Sequence, residues 1–188
     1  MNELQQPNLY IALIHHPVVD KNGETIAAAV TNLDLHDIAR TARTYAVRAF
    51  YVVTPLIDQK KLVERIISHW VNGAGSCYNP KRRQALELII VTETIEQAIQ
   101  DINTKSGQQP ITIATSARPS YHGMSYSKLR RQLNNGKPHL LVFGTAWGLS
   151  DAIKARMDHR LAPVTGLGEY NHLSVRCATA IILDRLLS

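Results

Sequence analysis

Five short apolar runs recur along this chain, at residues 9–14 (LYIALI), 49–54 (AFYVVT), 86–91 (LELIIV), 111–115 (ITIAT) and 139–143 (HLLVF). They are short and apolar rather than two-faced, so each reads as a strand buried on both sides. Segments with helical spacing separate them. Strands of this kind alternating with helices predict an α/β domain with a mostly parallel sheet and helices on both faces. A chain of 188 residues can bury a real core, and it carries no repeat, low-complexity tract or linker. A single domain over residues 1–188 is the expectation.

Asn32 or Asp34 is placed to cap a helix over residues 35–47. Leu35, Ile38, Ala39, Ala42 and Ala46 would face inward, with His36, Arg40 and Arg43 on another face. A second amphipathic helix covers residues 57–71, with Leu62, Val63, Ile66, Ile67 and Trp70 inward. Residues 72–83 (NGAGSCYNPKRR) read as a loop. Thr94 and Gln97 make a capping box for a helix through Ile102, and residues 125–133 form a basic helix. The last helix is apolar nearly all round, through Val175, Cys177, Ala178, Ile181, Ile182, Leu183, Leu186 and Leu187. Such a helix must be buried, within the domain or against a second subunit.

Three loops stand where strands end or helices begin: Thr115-Ser116, the glycine loop 144–148 (GTAWG) and residues 166–173. Parallel sheets bind ligands at the carboxyl ends of their strands, and glycine lets backbone approach a ligand closely. This arrangement predicts a ligand site built largely from backbone. Neither G-x-G-x-x-G nor G-x-x-x-x-G-K-[ST] occurs, so a dinucleotide or Walker-type site has no motif support. Ser125 and Lys128 match S-x-x-K without its companion motifs. The eight histidines show no paired spacing on a helix, and no metal is expected. His15 and His172 lie nearest the ligand loops.

The formal charge of +6 and isoelectric point near 9.5 favour a polyanionic partner such as RNA. Arg40 and Arg43, Lys81-Arg82-Arg83, and Lys128, Arg130 and Arg131 are the clusters suited to gripping phosphates, with Tyr78, Tyr121 and Tyr126 near enough to stack on bases. No apolar run approaches the roughly 20 residues that span a bilayer, and the two cysteines lie in no ligand spacing. A reducing cytoplasm, away from membranes, is the expected setting.

Taken together, residues 115–118 (TSAR), 140–149 (LLVFGTAWGL) and 170–186 (YNHLSVRCATAIILDRL) resemble the motifs of the SPOUT class of S-adenosylmethionine-dependent RNA methyltransferases. Residues 32–51, with IARTARTYAVRAFYV at their heart, look like that class's first motif, and residues 29–38 (AVTNLDLHDI) resemble a small bacterial family within it. The resemblance implies a C-terminal trefoil knot, a topology that ordinary chain-path rules treat as an exception. It implies S-adenosylmethionine bound in that knot by Thr115, Ser116, Phe143, Gly144, Thr145, Gly148, Gly166, His172, Leu173 and Ser174. It also implies a homodimer with the final helix at or near the interface. Arg40 and Asp34 become the expected catalytic residues, and Arg43, Arg82, Arg83, Arg118, Arg130 and Arg131 the expected contacts to tRNA or rRNA. Two departures stand out: Asp34 and Ser174 occupy positions where ribose-methylating members commonly carry asparagine. They leave open base methylation, and also an RNA-binding protein on the same scaffold without transferase activity.

Overall fold

The computed structural model describes residues 6–118 and 123–188. Six parallel strands form one sheet in the order β5-β4-β1-β7-β6-β8: β1 Leu9–Ile14, β4 Phe50–Val53, β5 Ile89–Thr92, β6 Ile111–Ala114, β7 His139–Gly144 and the two-residue β8 His159–Arg160. A small antiparallel hairpin, β2 Val18–Val19 and β3 Thr25–Ile26, follows β1. The turn signal at Lys21-Asn22-Gly23 closes it, with the Asp20 carboxylate accepting from the Asn22 and Glu24 amides.

Both faces of the sheet are covered, as two-sided strands require. Leu9, Ile11 and Leu13 pack against α1 Asn32–Thr44, α2 Ile57–Val71, α4 Pro80–Leu86, α6 Tyr126–Leu133 and α8 Val175–Leu187. Tyr10, Ala12 and Ile14 face α5 Ile95–Ser106 and α7 Asp151–Arg156 on the other side. All six residues of β1 are buried. Each such large apolar side chain contributes about 1.5–3 kcal/mol. Strand order reverses at β1: β4 and β5 step away on one side, β7, β6 and β8 on the other. An α/β sheet opens its ligand crevice at such a reversal, here between the ends of β1 and β7.

Several local expectations are corrected. The cap of α1 is Thr31, whose Oγ1 accepts from the Asp34 amide, rather than Asn32 or Asp34, and the helix ends at Thr44. Ala46 is exposed with φ +55° beyond the helix, so it does not belong to the inner face. Leu62 is exposed at 39%, on the outer side of α2. Residues 72–83 are mostly helical, not loop: α3 Ala74–Tyr78 is followed by α4, which Asn79 caps with Pro80 at its first position. Leu86 closes α4, so the third strand begins at Ile89. The Ser125/Lys128 match is a helix cap, Ser125 Oγ accepting from the Lys128 amide. α8 is buried on one side only, through Thr179, Ile182, Leu183 and Leu186, while Cys177 is exposed. Among the described residues no helix is long and apolar enough to cross a membrane, and both cysteines are free.

Candidate functional site

The glycine loop stands at the adjoining carboxyl ends of β1 and β7, where the strand order reverses. A Cβ on Gly144 would lie 2.5 Å from the Leu149 amide nitrogen and 2.8 Å from the Gly148 carbonyl carbon, so only glycine lets the chain double back here. Gly148, at φ +108°, completes the reversal. The loop is tied down on the β1 side, because the Thr145 amide and hydroxyl both donate to the Ile14 carbonyl. The Trp147 amide donates to Val19, and the Val19 amide to Gly148.

Next to it, Thr115 at the end of β6 donates its amide and hydroxyl to the Val142 carbonyl. The Ser116 hydroxyl accepts from the Arg118 amide. Asn171 reaches across and donates to the Ala117 carbonyl, bringing the third loop onto the first. Ser174 caps α8, its Oγ accepting from the Cys177 amide. The first and third loops therefore meet, and the glycine loop stands at the end of β7, to which Thr115 is bonded. Phe143 has its ring in the core and can offer only backbone.

Residues 163–173 make no backbone–backbone hydrogen bond to any described residue. Their peptide groups have no backbone partner among the described residues, Gly166 has free space where a side chain would stand, and Leu167, Tyr170 and Leu173 are exposed. Peptide groups without a backbone partner, flanked by apolar side chains, fit an adenine and its ribose, so the residues present suit the adenosine part of S-adenosylmethionine. His172 is exposed in this loop, edge-on to Tyr170.

A partly buried polar cluster centred on Asp34 lies at the start of α1. Asp34 accepts from Arg176 Nη1 at 3.1 Å and from the Thr31 hydroxyl at 2.6 Å, while Arg176 Nε also approaches Asp37 at 3.5 Å. Arg176 thus ties the arginine-bearing helix to the cofactor-loop helix, as does the Tyr45 hydroxyl bond to Asp184. The sequence reading missed Arg176. A cation in the first turn of a helix opposes the helix dipole, and that was the available signal. His15 is wholly buried at the end of β1. Burial lowers its pKa, the nearby Asp34 opposing, and the carbonyls of Ala28 and Ala29 approach without forming a well-aligned bond.

Arg40, Arg43, Lys81 and Arg82 converge on one groove of about 390 Å³ between α1 and α4. The other expected RNA contacts lie elsewhere. Arg83 pairs with Glu87 at 2.8 Å, Arg130 donates to the Arg185 carbonyl, and Arg131 and Arg118 are exposed. Tyr126 is half-buried under the Arg185 guanidinium, Tyr78 is exposed, and Tyr121 lies outside the described residues.

The parallel sheet, with its loops at the carboxyl ends of the strands, is a fold of the SPOUT type. Residues 8–188 match the family described as SAM-dependent RNA methyltransferase, and the chain belongs to that family. It is 46% identical over 180 residues to a tRNA (guanine-N(1)-)-methyltransferase of Oleidesulfovibrio alaskensis, covering 96% of this chain but 42% of that protein. The chain thus spans about two fifths of that curated relative. An uncharacterized protein of Aquifex aeolicus is 40% identical, with 96% of this chain and 89% of the relative covered. The fold matches a TrmH/SpoU tRNA modifying enzyme of A. aeolicus with a TM-score of 0.57 at 17% identity, over 97% of this chain and 75% of that one.

Proposed function

We propose that this chain transfers a methyl group from S-adenosylmethionine to tRNA, acting as a homodimer in the cytoplasm. The observation that carries the reading is the segment 163–173 of a family member, which makes no backbone hydrogen bond to any described residue and is drawn onto the 115–118 loop by the Asn171–Ala117 bond. Backbone of Phe143, Gly144, Gly148 and Gly166 would hold the adenosine part, with Thr115, Ser116, Thr145, Leu173 and Ser174 lining it. The cofactor supplies a methyl activated on a sulfonium, so the protein's task is alignment of acceptor and methyl. The trefoil knot is part of the same proposal. Its support is the path of the chain: after the edge strand β8 it returns across Ala117 to place α8 against β7 and α1.

tRNA is favoured because the longer relative named above modifies it. Guanine N1 is not carried over, since more than half of that protein lies outside the aligned part. Asp34 would hold Arg176 and the start of α1 rather than take a proton, as both its oxygens are engaged. His15 is sealed from solvent, which leaves His172 as the accessible base for the acceptor's proton. Arg40 would position the acceptor. The exposed Cys177 side of α8, beside the exposed Leu173 and Leu167, supports the dimer interface.

The test pairs calorimetry with labelled-methyl incorporation. Binding of S-adenosylmethionine and methyl transfer to tRNA are expected. No cofactor binding, with or without tRNA, would sink the proposal.

A further inference from the structure

The groove between α1 and α4 has a construction that the methyl-transfer site does not require. Four cations line it, Arg40 and Arg43 from α1 and Lys81 and Arg82 from α4, with Asn79 and Gln84 as neutral donors and no carboxylate. None of the four makes an ion pair with a described residue, although arginines nearby do so (Arg83 with Glu87, Arg176 with Asp34). Unscreened like charges facing one another repel, and a surface that keeps them together is complementary to a polyanion.

The groove is also built from beneath. Arg82 is half-buried with its guanidinium 4.5 Å from the Trp70 ring centroid, and the His36 and His69 rings stand edge-on to the same indole. The indole in turn needs Gly75, where a Cβ would come within 2.6 Å of Trp70 Cε3. Asn79 accepts from the Arg82 amide, fixing the start of α4. Arg82 Nε and His36 Nδ1 are buried with no hydrogen-bond partner among the described residues. A guanidinium held on an aromatic platform loses little further freedom on binding, which is what a phosphate contact needs. Small-molecule pockets are lined mostly by apolar groups. This groove has one, Ala85, so it suits phosphate and sugar rather than a base.

We infer that the α1/α4 groove grips the phosphodiester backbone of the RNA substrate, with Trp70 and Gly75 holding Arg82 in place. This deepens the RNA reading above and rests on it. The groove fixes the substrate's register through Arg43, Lys81 and Arg82, and Arg40 stands at its edge, where it can also position the acceptor.

The experiment measures the affinity of the full chain for unfractionated tRNA as a function of salt. Each lost phosphate contact lowers the slope of log K against log salt by about 0.7–0.9. Arg43→Gln with Lys81→Gln, both at exposed positions, should lower it by roughly 1.5, weaken binding at least tenfold in low salt, and leave S-adenosylmethionine binding unchanged. Trp70→Leu, with Lys81 and Arg82 intact, should weaken binding without removing a charge. Arg83→Gln removes one charge just outside the groove and should leave the slope unaltered. An unchanged slope in the double variant, or an equal loss in Arg83→Gln, would overturn the groove. Absence of any salt-dependent tRNA affinity in the wild type would instead overturn the RNA reading and the occupant with it.

Discussion

Gly144→Ala puts the cofactor reading to its most direct trial. The added methyl would sit 2.5 Å from the Leu149 amide nitrogen and 2.8 Å from the Gly148 carbonyl carbon, both backbone atoms that cannot rotate away. Relief to an ordinary contact requires the loop to withdraw by about 1 Å. That movement pulls on the Trp147–Val19, Val19–Gly148 and Gly148–Thr145 hydrogen bonds, at 3.1, 3.0 and 2.9 Å. Losing two or three such bonds at about 0.5–1.5 kcal/mol each gives roughly 1–4 kcal/mol. For a chain of this length that is a fall in melting temperature of about 2–4 °C per kcal/mol, near the middle of the range about 8 °C. Because the strain falls on the wall of the crevice, affinity for S-adenosylmethionine should drop at least tenfold, or about 1.4 kcal/mol. Calorimetry and a thermal melt read both quantities. Gly166→Ala, where a Cβ meets nothing within 4 Å, should leave the melting temperature in place. A Gly144→Ala protein with unchanged melting temperature and cofactor affinity would refute the crevice argument.

Asp34→Asn keeps the Thr31 cap but removes the charge facing Arg176. With Asp34 11% and Arg176 34% exposed, a loss of about 1–2 kcal/mol is expected, between the surface and buried extremes, and urea unfolding measures it. Burial lowers the pKa of His15 and of His139 from 6.5, so the folded state prefers both rings neutral. Their stabilisation is present above about pH 6.5 and lost as pH falls through the lowered folded values, which predicts a smaller urea midpoint at about pH 5.5 than at 7.5; equal midpoints would contradict it. Cys177→Arg places a charge on the exposed side of α8, and sedimentation should then show 21.0 kDa chains in place of particles twice that mass. A variant that stays dimeric would move the interface off this helix.

Much of the sheet was legible because its strands carry one unbroken signal. LYIALI and HLLVF are buried throughout, and a strand buried at every position fits only between two helical layers. The region 72–86 was not, since Gly73, Gly75, Asn79 and Pro80 are loop residues by local preference. Here Gly73 and Gly75 make room for His69 and Trp70, and Asn79 and Pro80 start a helix rather than end one. The site loops were legible from their glycines, but what ties them together was not. Thr145 to Ile14 and Asn171 to Ala117 are contacts separated by 131 and 54 residues, which no local window reports. The basic residues were all visible as a composition. Only the fold divides them into four that share a groove and others that turn to Glu87 or to the Arg185 carbonyl.

Arg40 remains the residue whose role the geometry constrains most. It lies eight residues into α1 from Asn32, and at 1.5 Å rise per residue its Cα is about 12 Å down the helix from the end that faces the cofactor loops. It lines the α1/α4 groove on one side, and on the other a groove shared with Ala180 of α8. Should two copies pair along α8, Arg40 would stand at their interface, serving either its own crevice or its partner's. The two possibilities separate in a mixing experiment. At S-adenosylmethionine concentrations well below the weakened affinity, Arg40→Ala and Gly144→Ala homodimers should each show little activity. If Arg40 serves the partner's crevice, a mixed dimer contains one complete site, and an equal mixture at exchange equilibrium recovers about a quarter of wild-type activity. If Arg40 serves its own chain, every site in the mixture lacks either the arginine or the loop, and no activity returns. Recovery would also explain why the phosphate groove and the cofactor crevice lie on different parts of one subunit: the RNA is gripped by one chain and modified at the other.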